Sequence, residues 1–235
     1  SDKGKIAFVF PGSGSHFIGM GREMSAHWPG LLDHLDEENL SLASQFASSR
    51  FWTKKSTANF SHEDYIFGQV WLGAMVSDVI ASFSVKPDAV IGYCLGETVG
   101  LFATRSWNDR DLMLTRMRET RLFTHDLGGS YEAVRECWGA EEDETIDWQL
   151  GVIDRPADEV RAALKGRDRV YLLIINTPNE CIIGGDRTSV QKLVKALKCG
   201  FHPLEGVTSV HCEVVKPVEE AYRELHLFET SPPED

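Results

Sequence analysis

A cysteine with a glycine two positions away on each side, Gly92-Tyr93-Cys94-Leu95-Gly96, has the spacing of a nucleophile turn between a strand and a helix. The chain must reverse there within a few residues, and glycine at both flanks removes the side chains that would collide with the neighbouring element. Such a turn holds Sγ of Cys94 at the N-terminus of the following helix, where backbone N–H groups and the helix dipole favour an anion. The same residues also suit a small buried cysteine in a tight turn, because free cysteines are often buried and inert.

Three further features bear on that choice. Pro11-Gly12-Ser13-Gly14-Ser15-His16 follows an apolar run, so its backbone amides can approach a ligand at the C-terminal end of a strand. The loop lacks the Gly-Lys-Ser/Thr ending of a phosphate-binding loop and the third glycine of a dinucleotide fingerprint. His211, in Thr208-Ser209-Val210-His211, is the best candidate base for Cys94. Leu114, Arg118 and Leu122 fall at i, i+4 and i+8, which puts Arg118 on an otherwise apolar helix stripe. Either its stem packs while its head reaches water, or it is held to meet a carboxylate bidentately.

The elements that must position these residues are legible in outline. Residues 5–10 and 89–91 read as strands buried on both faces. A helix interrupted near Pro29 spans residues 21–34, and residues 39–59 have no clean period. Ser61 and Asp64 form a capping-box pattern before a long helix whose apolar face is Ile66, Val70, Met75, Val76, Val79, Ile80 and Phe83. Gln69 lies beside that stripe, either bonded to neighbouring loop backbone or exposed. A helix is expected over 109–123, with Arg105, Arg110, Arg116 and Arg121 solvated or facing a partner. After Gly128-Gly129 the order becomes strand (131–136), helix (156–164), strand (170–176), strand (181–184), helix (188–197) and strand (201–204). That βαββαβ order predicts a ferredoxin-like small domain. A polar helix, bent at Pro217, follows His211.

Composition narrows the function classes. Twenty-four basic against 36 acidic residues give a formal charge of -12, which repels nucleic acid at long range. No uninterrupted apolar run approaches the ~20 residues of a membrane span, and the start lacks the basic-then-apolar order of a signal peptide, so the cytoplasm is the expected location. The cysteines at 94, 137, 181, 199 and 212 are widely spaced with no C-x-x-C pair, so reduced thiols are expected, with neither a disulfide framework nor a thiolate zinc site.

With these blocks in hand, the chain resembles the malonyl-CoA:acyl carrier protein transacylase family, including the acyltransferase domains of polyketide and polyunsaturated fatty acid synthases. PGSGSH at 11–16 is similar to that family's PGQGSQ, and GYCLGE at 92–97 to its GHSLGE. Met117-Arg118 is similar to the Met-Arg of the extender-binding arginine, and INTPNECIIGG at 175–185 to the small-domain hairpin. The four blocks occur in the family's order across nearly all of the chain, a combination more specific than any one of them.

The resemblance implies an α/β fold. Residues 1–127 and 208–235 would form an α/β-hydrolase-like large domain whose C-terminal return is incomplete, interrupted by a ferredoxin-like small domain at 128–207. It implies ping-pong transfer of a malonyl or related acyl group from coenzyme A to the phosphopantetheine thiol of an acyl carrier protein, with no further cofactor or metal. Partner domains of a multienzyme synthase are implied too. Cys94 takes the nucleophile's place, His211 the base's, Ser13 and Leu95 those of the oxyanion-hole amides, and Arg118 that of the residue holding the acyl carboxylate. Gln69, Tyr93 and Val210 would line the acyl site. Cysteine in place of serine remains chemically reasonable, since a thiolate is a strong nucleophile and exchange between thioesters is nearly thermoneutral. A non-catalytic docking domain and a thioester hydrolase are the alternatives that share these residues.

Overall fold

The structure, a computed structural model, describes residues 4–13, 15–40, 51–52, 61–204 and 208–232, and the backbone alone at His62. The region 41–50 and 53–60, most of the segment without a clean period, lies outside the described residues, as does Gly14. The chain divides into two compact units, Ser1–Glu119 with Leu225–Asp235, and Thr120–Glu224.

The first unit is built on two strands, β1 (Ala7–Phe10) and β2 (Ala89–Gly92), paired in parallel with Ala7 opposite Ala89 and Phe10 opposite Gly92. Its helices are α1 (Arg22–His27), α2 (Pro29–Glu37), α3 (His62–Ser82), α4 (Leu95–Ala103) and α5 (Arg110–Glu119). Pro29 opens α2 because its missing N–H and fixed φ suit a first helical position. The α3 start is the capping box expected from Ser61 and Asp64: Ser61 Oγ accepts from Asp64 N at 3.2 Å, and Ser61 N donates to Asp64 Oδ2 at 2.8 Å. By length and composition α3 could cross a membrane, yet half of its apolar window is buried inside the protein. Phe67 and Val70 serve one core cluster with Phe10, Val99 and Leu114, while Trp71, Ala74 and Met75 serve another with Met20 and Leu35. Burial on several sides explains why its apolar residues outnumber one stripe.

The strands depart from expectation. Val9 is 68% and Ile91 56% exposed, so the pair is not buried on both faces. Phe10 and Phe8 pack against the cluster beneath α3 and α4, and among the described residues only these two strands form the sheet, which leaves Val9 and Ile91 uncovered.

The second unit contains α6 (Glu132–Trp138), β3 (Trp148–Ile153), α7 (Ala157–Leu164), β4 (Val170–Thr177), β5 (Glu180–Asp186), α8 (Arg187–Leu197) and β6 (His202–Pro203). A 3-10 turn (Glu213–Val218) and α9 (Glu219–Leu225) follow. The strands run β4-β5-β3-β6, each antiparallel to its neighbour. Residues alternate between two apolar faces. Ile153, Val170, Cys181 and Ile183 meet α7 and α8, while Trp148, Leu150, Ile182 and Tyr171 meet α6 and the 3-10 turn.

That second face corrects one expectation. The strand expected at 131–136 is instead the N-cap Tyr131 and the start of α6, because Ala133 and Val134 face inward with Trp138 one turn on while Glu132 and Glu136 stay outside; the strand is β3, further along the chain. The second unit runs from Thr120 to Glu224 and so takes in segments on both sides of the small sheet. The flanking segments belong with the small sheet they cover, and Ser209 ties them together by donating from N (2.9 Å) and Oγ (3.0 Å) to Leu127 O.

Candidate active site

Cys94 joins β2 to α4 with φ 53° and ψ −118°, a backbone conformation that L-residues rarely adopt. The flanking glycines are required by contact: a Cβ on Gly92 would collide with the Glu97 backbone, and one on Gly96 with Phe10 O. The first loop closes on the same turn. A Cβ on Gly12 would lie 2.8 Å from Tyr93 Cδ1 and 3.4 Å from Cys94 Cβ, and Tyr93 N donates to Phe10 O at 3.0 Å. The turn thus brings Tyr93, Cys94 and Leu95 together with the loop that carries Ser13.

Beyond the bend, Gly96 N donates to Tyr93 O at 2.9 Å and Glu97 N to Cys94 O at 3.0 Å, while Leu95 N–H donates to the Cys94 sulfur. Burial pushes the Cys94 thiol above its ordinary pKa; the Leu95 amide opposes that rise and the carboxylate of Glu97 adds to it. The amide at the helix N-terminus favours the thiolate, as expected, but desolvation outweighs it. At neutral pH the group is a thiol, and its use as a nucleophile calls for a base.

Gln69, on α3, is 4% exposed, and its Nε2 meets no acceptor among the described residues. An orphaned buried donor of this kind is costly unless a ligand or water completes it. Tyr93 is 39% exposed. His16 packs its ring edge-on to Tyr65 with centroids 4.3 Å apart, and burial pushes its pKa below the ordinary value. Val210 is buried and His211 is exposed with φ 69°, both in the second unit.

Arg118 departs most from expectation. Helix α5 ends at Glu119 and Leu122 falls in a π-helical turn (Leu122–Asp126), so the i, i+4, i+8 stripe is broken before its last member. The Arg118 side chain is 55% exposed and grips Glu63 with two bonds, Nη2 to Oε1 at 2.7 Å and Nε to Oε2 at 3.2 Å. The Glu63 bond raises its pKa further above the ordinary arginine value. Arg105 and Arg110, unlike Arg118, are not solvated. Arg105 binds Asp78 and Glu38, and Arg110, 6% exposed, binds Glu38 at 2.6 Å. Glu63 escaped the sequence reading because an acid in a first helical turn reads as a complement to the helix dipole.

No family model matches the chain. It is 24% identical over 248 residues to a polyunsaturated fatty acid synthase polypeptide of Thraustochytrium sp., covering 98% of this chain and 12% of that protein. It is 24% identical over 227 residues to the malonyl CoA-acyl carrier protein transacylase of Bacillus subtilis, covering 94% of this chain and 67% of that protein. Among solved structures, the acyltransferase domain from the second module of the salinomycin polyketide synthase superposes with a TM-score of 0.73 at 21% identity, over 98% of this chain and 52% of that one. The chain shares the fold of that acyltransferase domain. MCAT from Streptococcus pneumoniae shares it, with a TM-score of 0.68 at 18% identity, over 97% of this chain and 72% of that one. The similarity to transacylases and synthase acyltransferase domains inferred from the four motifs thus extends over nearly the whole chain, which itself spans a small part of the Thraustochytrium synthase. Within this acyltransferase fold, the Cys94 turn lies in the first unit and His211 in the second.

Proposed function

We propose that this chain is an acyltransferase that moves an acyl group from coenzyme A to the phosphopantetheine thiol of an acyl carrier protein through a thioester on Cys94. The observation that carries the reading is the glycine-flanked Cys94 at a strand-to-helix bend, with the Leu95 amide directed at its sulfur. Within this reading the first unit is α/β-hydrolase-like. The second, with its βαββαβ order and sheet order β4-β5-β3-β6, is ferredoxin-like.

Because burial keeps Cys94 protonated, the proposed sequence begins with His211 accepting its proton as Sγ bonds to the thioester carbonyl carbon. The amides of Ser13 and Leu95 would hold the oxyanion, a donor of this kind being worth about 3 kcal/mol in the transition state. Collapse breaks the carbonyl bond to the CoA sulfur, which leaves as a thiol after taking the proton from the imidazolium. The carrier thiol then repeats the sequence in reverse. The orphaned Gln69 Nε2 is the proposed donor to the bound acyl group, with Tyr93 and Val210 as further walls.

The test is intact-mass measurement after incubation with a panel of acyl-CoAs. An acyl adduct that forms on the parent protein, passes to added carrier protein and vanishes in Cys94→Ala supports the proposal. An adduct that persists in Cys94→Ala, or none with any thioester, rejects it.

A further inference from the structure

The sheet of the second unit ends differently at its two sides. Its order is β4-β5-β3-β6, so β4 and β6 each have a single strand neighbour among the described residues. β6 is two residues long, and one of them is Pro203, which has no N–H to offer a further strand. β4 runs for eight residues, Val170–Thr177, with no charged side chain and no proline. Shortness, proline and charge are the usual devices that keep a sheet edge from pairing, and β4 has none of the three. Two register irregularities against β5, between Leu172 and Ile174 and between Ile175 and Thr177, bend the strand, a bend that an identical strand shares.

The side chains of β4 are half covered. Leu172 leans on the cluster beneath α7 and α8, while Tyr171, Leu173 and Ile174 lean on the opposite one, all partly buried, and Ile175 is 47% exposed. Apolar side chains in this position gain from a further strand, which supplies backbone partners and apolar cover together.

Charge selects which strand that is. The segment entering β4 carries Lys165, Arg167 and Arg169 against one acid, Asp168, and the turn leaving it leads to Glu180. Two copies of β4 laid parallel would set each charged end against its like. Laid antiparallel about a two-fold axis between Leu173 and Ile174, they set the basic end of each against Glu180 of the other, with Leu172 opposite the second copy's Ile175.

From this edge we infer that two copies of this chain join by antiparallel pairing of β4 with β4, fusing two four-stranded sheets into one continuous sheet. The contact is isologous and closed, so it stops at two copies. One strand pair with its flanking side chains is a small interface, and its expected dissociation constant is on the order of 10 µM. The pairing does not depend on the acyl-transfer reading above.

Sedimentation equilibrium of the full chain, at loadings from about a tenth of that constant to about ten times it, reads the assembly. The parent should pass from monomer to dimer and no further. Hydrogen exchange read by mass over the same range should show the amides of residues 170–177 slowing as the dimer forms. Ile175→Lys, which sets a charge opposite the second copy's Leu172, should weaken the dimer about tenfold. Should that variant lose the near-ultraviolet circular dichroism of the second unit, Arg167→Glu, an exposed change outside the strand, should weaken the dimer in its place. A chain that stays monomeric throughout, that assembles beyond two copies, or whose dimer leaves either the β4 amides or these variants unaffected overturns the inference.

Discussion

At the scale of single residues, Cys94 combines two opposing effects. The bend and the Leu95 amide hold the sulfur at the start of α4, while burial withholds the charge that the proposed attack requires. Burial raises the thiol pKa, so the thiolate fraction is lower at every pH than for a free cysteine, whose ordinary value is about 8.5. Iodoacetamide alkylation of Cys94 should therefore climb with pH and reach half its limiting rate above pH ~8.5, as measured by peptide mass mapping. A midpoint well below that would mean the helix N-terminus prevails over desolvation. The raised value also gives His211 a definite task in the proposed chemistry, since a thiol that ionised unaided would need no base.

At the scale of elements, α3 carries much of the first unit. Its residues join two core clusters, its second half binds Arg105 through Asp78 at 2.7 Å, and its first turn presents Glu63 to Arg118. The turn is held by reciprocal bonds between Ser61 and Asp64. Ser61→Ala should lower stability by about 1 kcal/mol, the usual worth of an N-cap hydroxyl, read as a shift in the urea midpoint. An unchanged midpoint would mean that packing alone sets the helix start. Much of this was legible beforehand, because a cap and its acid lie three residues apart and depend on nothing distant. The end of α5 was not. The period through Leu114, Arg118 and Leu122 continues a helix on paper, but the chain changes to a π turn after Glu119, and a spacing argument cannot register that change.

At the scale of the whole molecule, burial makes the stability of the second unit sensitive to alkali. Burial raises the acids of the second unit, taking Cys212 to about 11 and Tyr171 to about 12, with Tyr131, Cys137, Cys181 and Cys199 also raised. These groups keep their protons in the folded state at pH values where the unfolded chain has released them. Their contribution to stability is complete below the unfolded values and is lost as pH rises through the folded ones. The urea midpoint of the second unit should thus fall between about pH 9 and pH 11, before side chains with higher folded values titrate. Near-ultraviolet circular dichroism of the stacked Trp138, Trp148 and Tyr171 is a suitable monitor. A midpoint constant across that range would contradict the burial of these groups.

What the sequence determined by itself was local: glycines two places either side of Cys94, a serine and an aspartate at a helix start, and the apolar runs that form β4 and β5. Each follows from backbone sterics or side-chain period within a few residues, and each survives in the folded chain. Tertiary structure alone decided the charges. Glu63 and Arg118 are 55 positions apart and Glu38 and Arg105 are 67 apart, and no period or composition links such partners. It also decided which segments cover the second sheet, because a face apolar on both sides can recruit any helix the chain brings to it. An ion pair or a covering layer depends on distance in space, which the order of residues does not record.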